Sequence, residues 1–242
     1  MPAKAETAKA GDAGSADAKP RRRRAPVNLL AFETEFWNAN PGATLAGVDE
    51  AGRGPLAGPV SAAAVSIPPE LAPELLAGPL AGLIDSKQLT ARARERFHDA
   101  LCSLDGVSIG YGEATAAEID ELNILRATHL AMRRALESLP VPPAHALVDG
   151  LPPKNLPCTF TAIVKGDAKS LLIAAASVVA KVRRDHYLDA LDARYPGYGF
   201  ASHKGYGSQE HLDALRRLGP CPEHRRSFAP VRDAIEMLPG LF

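Results

Sequence analysis

The sequence predicts one mixed α/β domain with a helical C-terminal region. Three observations carry this: five short apolar runs that end in turn residues, helical stretches that open on capping signals, and enough apolar material for one core. The chain has 242 residues, 46% of them hydrophobic, and a chain of this size buries roughly 70% of its unfolded surface. No run of 18 apolar residues lacks a charge or a proline, so no helical membrane span is expected. The three cysteines, Cys102, Cys158 and Cys221, are far apart and odd in number. That usage fits a reducing, cytoplasmic setting.

The elements follow in order. Residues 44–48 form an apolar run before a glycine-rich turn and read as a strand, and residues 59–67, rich in small side chains and valine, read as a second. Thr90 is placed to cap a helix whose face carries Phe97, Leu101 and Leu104. Residues 107–111 alternate as a third strand. Thr115 and Glu118 have capping-box spacing and are expected to open a single helix through about residue 139. Residues 146–148 form a fourth strand, ended by Asp149-Gly150, and residues 159–164 a fifth, ended by Lys165-Gly166-Asp167. A long helix is expected from about 168 to 193, with loop and shorter helices beyond.

The formal net charge of zero is the sum of two unequal parts. Residues 1–26 hold seven Lys/Arg and three Asp/Glu, a balance of +4, and the other 216 hold 21 against 25, a balance of −4. The first segment contains eight alanines and ends in Arg21–Arg24 and a proline. It cannot bury enough surface to offset the entropy of ordering it, so a solvated tail is expected. A basic run of this kind can also tether phosphate nonspecifically. The division expected is a tail over 1–26, a lead-in over 27–43 and a folded domain over 44–242.

Carboxylates collect where strands end: Asp49-Glu50, Asp149 and Asp167. Adjacent strand residues point to opposite faces, so Asp49 and Glu50 are expected to share a site only if the backbone bends near Glu50, which the following Ala-Gly-Arg-Gly permits. Crowded acids must protonate or bind cations. Oxygen donors without a matching His or Cys cluster select Mg²⁺ or Mn²⁺, and a pair of such ions suits phosphodiester displacement. Taken singly, Asp149 and Asp167 also read as turn residues, and Asp167 as a helix N-cap. Nearby cations at Lys165, Lys169, Lys181, Arg183 and Arg184 outnumber Asp167 and Asp185, a local balance of +3 that suits a phosphate substrate. The sequence has no Walker A, H-E-x-x-H or G-x-S-x-G motif. The seven histidines form no cluster in sequence and are expected mostly on surfaces and loops, and Cys221 with His224 lacks the second pair a zinc site needs.

These motifs, in this order, resemble the ribonuclease HII family. Asp49-Glu50-Ala51-Gly52-Arg53-Gly54 matches its opening signature. Asp85-Ser86-Lys87, Val148-Asp149-Gly150, Lys165-Gly166-Asp167, the Ala176–Asp185 helix, Gly205-Tyr206 and His224-Arg225-Arg226-Ser227-Phe228 match those that follow. The likeness spans about residues 44–233. It implies a ribonuclease H-like mixed five-stranded sheet flanked by helices, with a helical C-terminal extension. It also implies endonucleolytic cleavage of RNA in RNA–DNA hybrids and at single ribonucleotides in duplex DNA, leaving 5′-phosphate and 3′-hydroxyl ends. By motif position the catalytic and metal-binding carboxylates are Asp49, Glu50, Asp149 and Asp167, with Mg²⁺ or Mn²⁺ as cofactor and Asp49 shared between two ions. Asp185 falls on the helix surface. Gly52, Arg53 and Gly54 are implied at the ribose, Lys87 at a phosphate and Tyr206 at the sugar following the ribonucleotide. A monomer is expected, with protein partners left open.

Rival readings explain less. A nucleic-acid-binding domain without activity does not need four acids at strand ends. The related ribonuclease HIII carries a folded N-terminal domain that the Ala-rich tail and the short segment to Trp37 are expected to be too small to supply, and a small-molecule phosphohydrolase does not account for Arg53 and Tyr206.

Overall fold

The computed structural model describes residues 28–83 and 86–237. The expectations for the basic tail over 1–26 and for Asp85 lie outside them.

Five strands make one mixed sheet in the order β3-β2-β1-β4-β5. They are β1 (Leu45–Ala51), β2 (Val60–Ser66), β3 (Ser108–Ala114), β4 (His145–Asp149) and β5 (Thr159–Ile163). β2 is antiparallel to both β1 and β3, whereas β4 runs parallel to β1 and β5 to β4. Each of the five expected strands is present, within a few residues at its ends.

The residues of β1 divide between the two faces with period two, as strand geometry requires. Leu45 joins the core on one face and Ala46 and Val48 the core on the other. The first face is covered by α6 (Leu171–Arg194), with α1 (Ala31–Ala39), α2 (Ala72–Ala77) and α3 (Ala91–Ser103) around it; the second is covered by α4 (Ala116–Leu122) and α5 (Ile124–Glu137). α6 approaches β1 so closely that a Cβ on Gly47 would collide with the Leu172 backbone. Gly47→Ala is therefore expected to lower stability by about 1–3 kcal/mol through overpacking, measured by chemical denaturation.

The caps explain several element ends. Thr90 accepts a hydrogen bond from the Ala93 N–H, and Thr115 and Glu118 form the expected capping box. The helix this box opens is interrupted, however. Asn123 stands at φ 70°, ending α4, and its side chain accepts from the N–H groups of Leu125 and Arg126 to start α5. Its backbone, at φ 70° and ψ 160°, leaves the helical path, and its side chain caps the next helix, so two helices replace one continuous helix. At α6 the N-cap is Ser170, and Asp167 lies before it in a 3₁₀ turn over Gly166–Ala168. The lead-in also has a structural task. Glu33 of α1 is buried, and its Oε1 accepts from the Ser170 hydroxyl (2.6 Å) and the Leu172 N–H (3.1 Å) at the start of α6.

The C-terminal extension comprises α7 (Phe200–His203), α8 (Gln209–Leu218) and α9 (Ala229–Met237). It packs on the segment that follows β1 through two small apolar clusters, one around Ala57, Leu188 and Phe200 and one around Leu56, Leu215 and Val231. Backbone bonds fix the contact: Leu56 N–H to Gly205 C=O, Gly58 N–H to Glu223 C=O, and Arg225 N–H to Leu56 C=O. The extension thereby holds the Gly52–Pro59 loop at the end of the sheet. No helix among the described residues is long and apolar enough to cross a membrane.

Candidate active site

The site lies at the C-terminal ends of the parallel strands β1 and β4. Their pairing stops at Val48 and Val148, while β1 stays paired with β2 through Ala51. Asp49 and Glu50 thus extend past the last β1–β4 pair, beside Asp149. The bend expected near Glu50 is absent: the strand runs on, and the left-handed turn comes at Gly52, φ 92°. Both acids reach one cavity because the ladder next to them ends.

That cavity, of about 280 Å³, is lined by Asp49, Glu50 and Asp149, by the Gly52-Arg53-Gly54 loop, and by Ser86, Lys87, Ser177, Lys181, Arg184 and Tyr206. Asp49 is buried, and its Oδ1 accepts the Glu50 N–H at 2.7 Å. Burial, then the charges of Glu50 and Asp149, hold its carboxyl well above the ordinary value, against the lowering effect of a Ser177 hydrogen bond. Burial also raises Glu50, opposed by Arg53, whose guanidinium stands 3.4 Å from its Oε1. The Asp149 Oδ1 accepts the Gly166 N–H at 2.6 Å, which ties the start of the 3₁₀ turn to β4. Asp167 is buried in that turn and does not line the cavity; its Oδ2 stands 3.6 Å from the Lys87 ammonium, which does. Three of the four expected carboxylates therefore share one space, and the fourth adjoins it through Lys87.

The donor set fits a hard divalent cation. It consists of carboxylates whose mutual repulsion, in a desolvated space, favours either protonation or a cation. Among the described residues the most compact group of possible ligands is a different one, Glu95, His98 and Asp99 on α3. It includes an exposed acid and already pairs internally and with His186.

Two arginines give the loop its shape. Arg225 donates to the carbonyls of Gly52 (2.6 Å), Arg53 (3.0 Å) and Gly58 (3.0 Å). Arg184 donates to those of Ala57, Pro59 and Lys204, each at 3.1 Å. Both are almost fully buried, so Arg184 is a brace for the loop rather than one of the solvated cations suited to a phosphate. With its carbonyls tied back into the protein, the loop is held in one conformation at the cavity. A Cβ on Gly52 would strike the Arg184 guanidinium, and φ there suits glycine alone. Asp185, expected on the helix surface, is half-buried and paired with Lys181 at 2.6 Å. The arginine braces carry no sequence signal beyond their place in motifs, and Ser86 and Ser177, hydrogen-bonded to each other at 2.8 Å, likewise read only as motif letters.

Tyr206 is about half exposed, and its ring edge lies beside Gly54. Histidines hold it from behind, contrary to the expectation that they form no cluster. The Cys221 N–H donates to His224 Nδ1 (3.0 Å), the two Nε2 atoms of His224 and His211 are 3.0 Å apart, and His211 Nδ1 is 2.9 Å from the Tyr206 carbonyl. His203 stacks on His211 with ring centroids 4.4 Å apart. These partners assign the tautomers: His224 donates from Nε2 to His211, which donates from Nδ1 to Tyr206. The relay requires both rings neutral, and burial lowers His211 to about 4 and His224 to about 3. Groups that stay neutral in the fold while the unfolded chain takes up protons cost stability on acidification. Stability from this pair is present above pH 6.5 and falls as pH drops toward about 3. Melting temperature is expected to fall more steeply between pH 6.5 and 5 in wild type than in His211→Asn; equal slopes contradict the relay.

Comparison with known proteins agrees with this architecture. Residues 46–231 match the family profile described as ribonuclease HII. The chain is 52% identical over 226 residues to ribonuclease HII of Parvibaculum lavamentivorans, covering 92% of this chain and 80% of the relative. It is 56% identical over 203 residues to that of Rhodospirillum rubrum, covering 82% and 91%. Among solved structures, ribonuclease H2 from Pyrococcus horikoshii superposes with a TM-score of 0.66 at 30% identity, covering 80% of this chain and 97% of that one. Bst-RNase HIII in complex with Mn²⁺ gives 0.65 at 18% identity, over 81% and 70%, a likeness of fold. With identity above one half sustained across most of both chains, the protein belongs to the ribonuclease HII family, metal-dependent hydrolases that act on RNA in RNA–DNA hybrids.

Proposed function

We propose that the chain, besides cleaving RNA in hybrids endonucleolytically, cuts on the 5′ side of single ribonucleotides embedded in duplex DNA, leaving 5′-phosphate and 3′-hydroxyl ends. The observation that carries this reading is that the acid cavity is shared with a rigidly braced Gly52-Arg53-Gly54 loop and with Tyr206. One side of the cavity can hold cations, and the other offers backbone and an aromatic ring to a sugar.

Asp49, Glu50, Asp149 and Asp167 are the residues that would hold two divalent ions, Mn²⁺ or Mg²⁺. When bound, such ions activate water and stabilise charge on the leaving 3′-oxygen. The chain's own residues do the rest. Backbone groups of Gly52–Gly54 approach the ribose closely enough to read its 2′-hydroxyl, the group that distinguishes RNA from DNA. Lys87 neutralises phosphate at the cavity mouth, and Tyr206 stacks on the following deoxyribose.

A DNA duplex with one ribonucleotide, cut with Mn²⁺ or Mg²⁺ and mapped to the nucleotide, tests the proposal. A single cut on the 5′ side is expected, with none in EDTA. Cleavage of uniform hybrid but not of this duplex would refute it. For Tyr206, the stacking contribution is about 1–3 kcal/mol by analogy with base stacking. Tyr206→Phe should keep most activity at the single ribonucleotide and Tyr206→Ala should lose roughly tenfold or more; equal activity of alanine and tyrosine contradicts the assignment.

A further inference from the structure

A second depression, of about 510 Å³, lies apart from the acid cavity and shares no lining residue with it. Arg126, His129 and Arg133 line it from α5, and Lys154 and Asn155 from the β4–β5 connection. The three α5 residues follow i, i+3, i+7 spacing and so occupy one helix face. Arg126, Arg133 and Lys154 are solvent-exposed and His129 is half-buried. The depression lies on the α5 side of the sheet, where Leu130, which also lines it, packs against the core that holds Val48 of β1. Arg133 pairs with Glu137, 3.7 Å away across one helical turn, and Arg126 and Lys154 add further positive charge to the lining.

We propose that this groove holds the phosphodiester backbone of the DNA strand that is not cut. The inference rests on the nuclease reading of the acid cavity. The cut strand must thread that cavity, so a separate basic channel beside it suits the other backbone of the duplex. Its length agrees: Arg126 and Arg133 are about 10 Å apart along the helix axis at 1.5 Å per residue. A span of that length reaches more than one phosphate of a single strand. Position also agrees. β1 alternation puts Glu50 on the α5 face of the sheet and Asp49 on the α6 face, and the groove lies on the α5 side.

The test uses the full chain with Mn²⁺ and a strand containing a short RNA stretch flanked by DNA, annealed to a DNA complement. Arg126→Ala with Lys154→Ala, both exposed positions, should raise KM roughly tenfold at low salt with the loss concentrated in KM. The log–log dependence of binding on salt should become shallower by about two. The decisive arm replaces phosphates by uncharged methylphosphonates. When the uncut strand is neutralised opposite the RNA, wild type should weaken and the variant's penalty should vanish. When the DNA flanks of the cut strand are neutralised instead, the penalty should persist. A penalty that survives neutralisation of the uncut strand, or vanishes only with the cut one, overturns the proposal. Because the RNA stretch is cut as a hybrid, failure at single ribonucleotides would not alter this result.

Discussion

Asp49→Asn and Asp149→Asn are each expected to reduce cleavage of a hybrid by more than about a hundredfold, with the fold intact and Asp49→Asn at least as stable as wild type. The amide keeps the size of the side chain, and its oxygen can still accept the Glu50 N–H in place of Asp49 Oδ1, or the Gly166 N–H in place of Asp149 Oδ1. It lacks the charge that would hold divalent ions, which supply several kcal/mol of transition-state stabilisation. The sign of the stability effect follows from the crowding. Burial and two neighbouring acids raise the Asp49 carboxyl, so its ionised form strains the folded state at neutral pH and its neutral isostere does not. Melting temperatures and single-turnover rates on the same preparations separate the two effects. Near-normal cleavage by either variant, with Mg²⁺ or Mn²⁺, removes these acids from the site.

Arg225→Leu is expected to be the most damaging change outside the acids. The side chain is buried and donates to three carbonyls of the Gly52–Gly58 segment. Leucine fills part of the space but leaves those acceptors without donors. An orphaned buried polar group costs about 1–3 kcal/mol, so a loss of at least about 3 kcal/mol is expected, roughly 6–12 °C in melting temperature for a domain of this size. Activity should fall further than stability predicts, because the loop that faces the ribose loses its shape. Arg225→Lys should recover only part of either property, since one ammonium cannot reproduce the spread of three guanidinium bonds. A leucine variant as stable as wild type contradicts the bracing role.

Much of this architecture is legible in the sequence, for local reasons. Strand runs, the Thr90 cap and the Thr115–Glu118 box each depend on residues a few positions apart, and acids at strand ends announce a site before any distance is known. The parts that escape depend on remote partners. Arg184 reads as one of several cations near Asp167 and Arg225 only as a motif letter, yet their acceptors include the carbonyls of Pro59 and Gly58, more than a hundred residues away in sequence. His203, His211 and His224 read as scattered until α7 and α8 bring them together. Asn123 could have been read as a helix break, because an asparagine that caps the next helix competes with continuation of the first; the apolar periodicity across it conceals this. The joint access of Asp49 and Glu50 was anticipated through a bend, whereas it arises from where the β1–β4 ladder stops, a property of register that one strand alone does not encode.

The central claim is that the acids at the ends of β1 and β4 form a divalent-cation site. Electron paramagnetic resonance of Mn²⁺ titrated into the full chain tests it without recourse to activity, comparing wild type with the Asp49→Asn, Asp149→Asn double variant. The account predicts that wild type removes free Mn²⁺ signal saturably and that the double variant loses this binding while remaining folded by circular dichroism. Equal Mn²⁺ uptake by the folded double variant would contradict it.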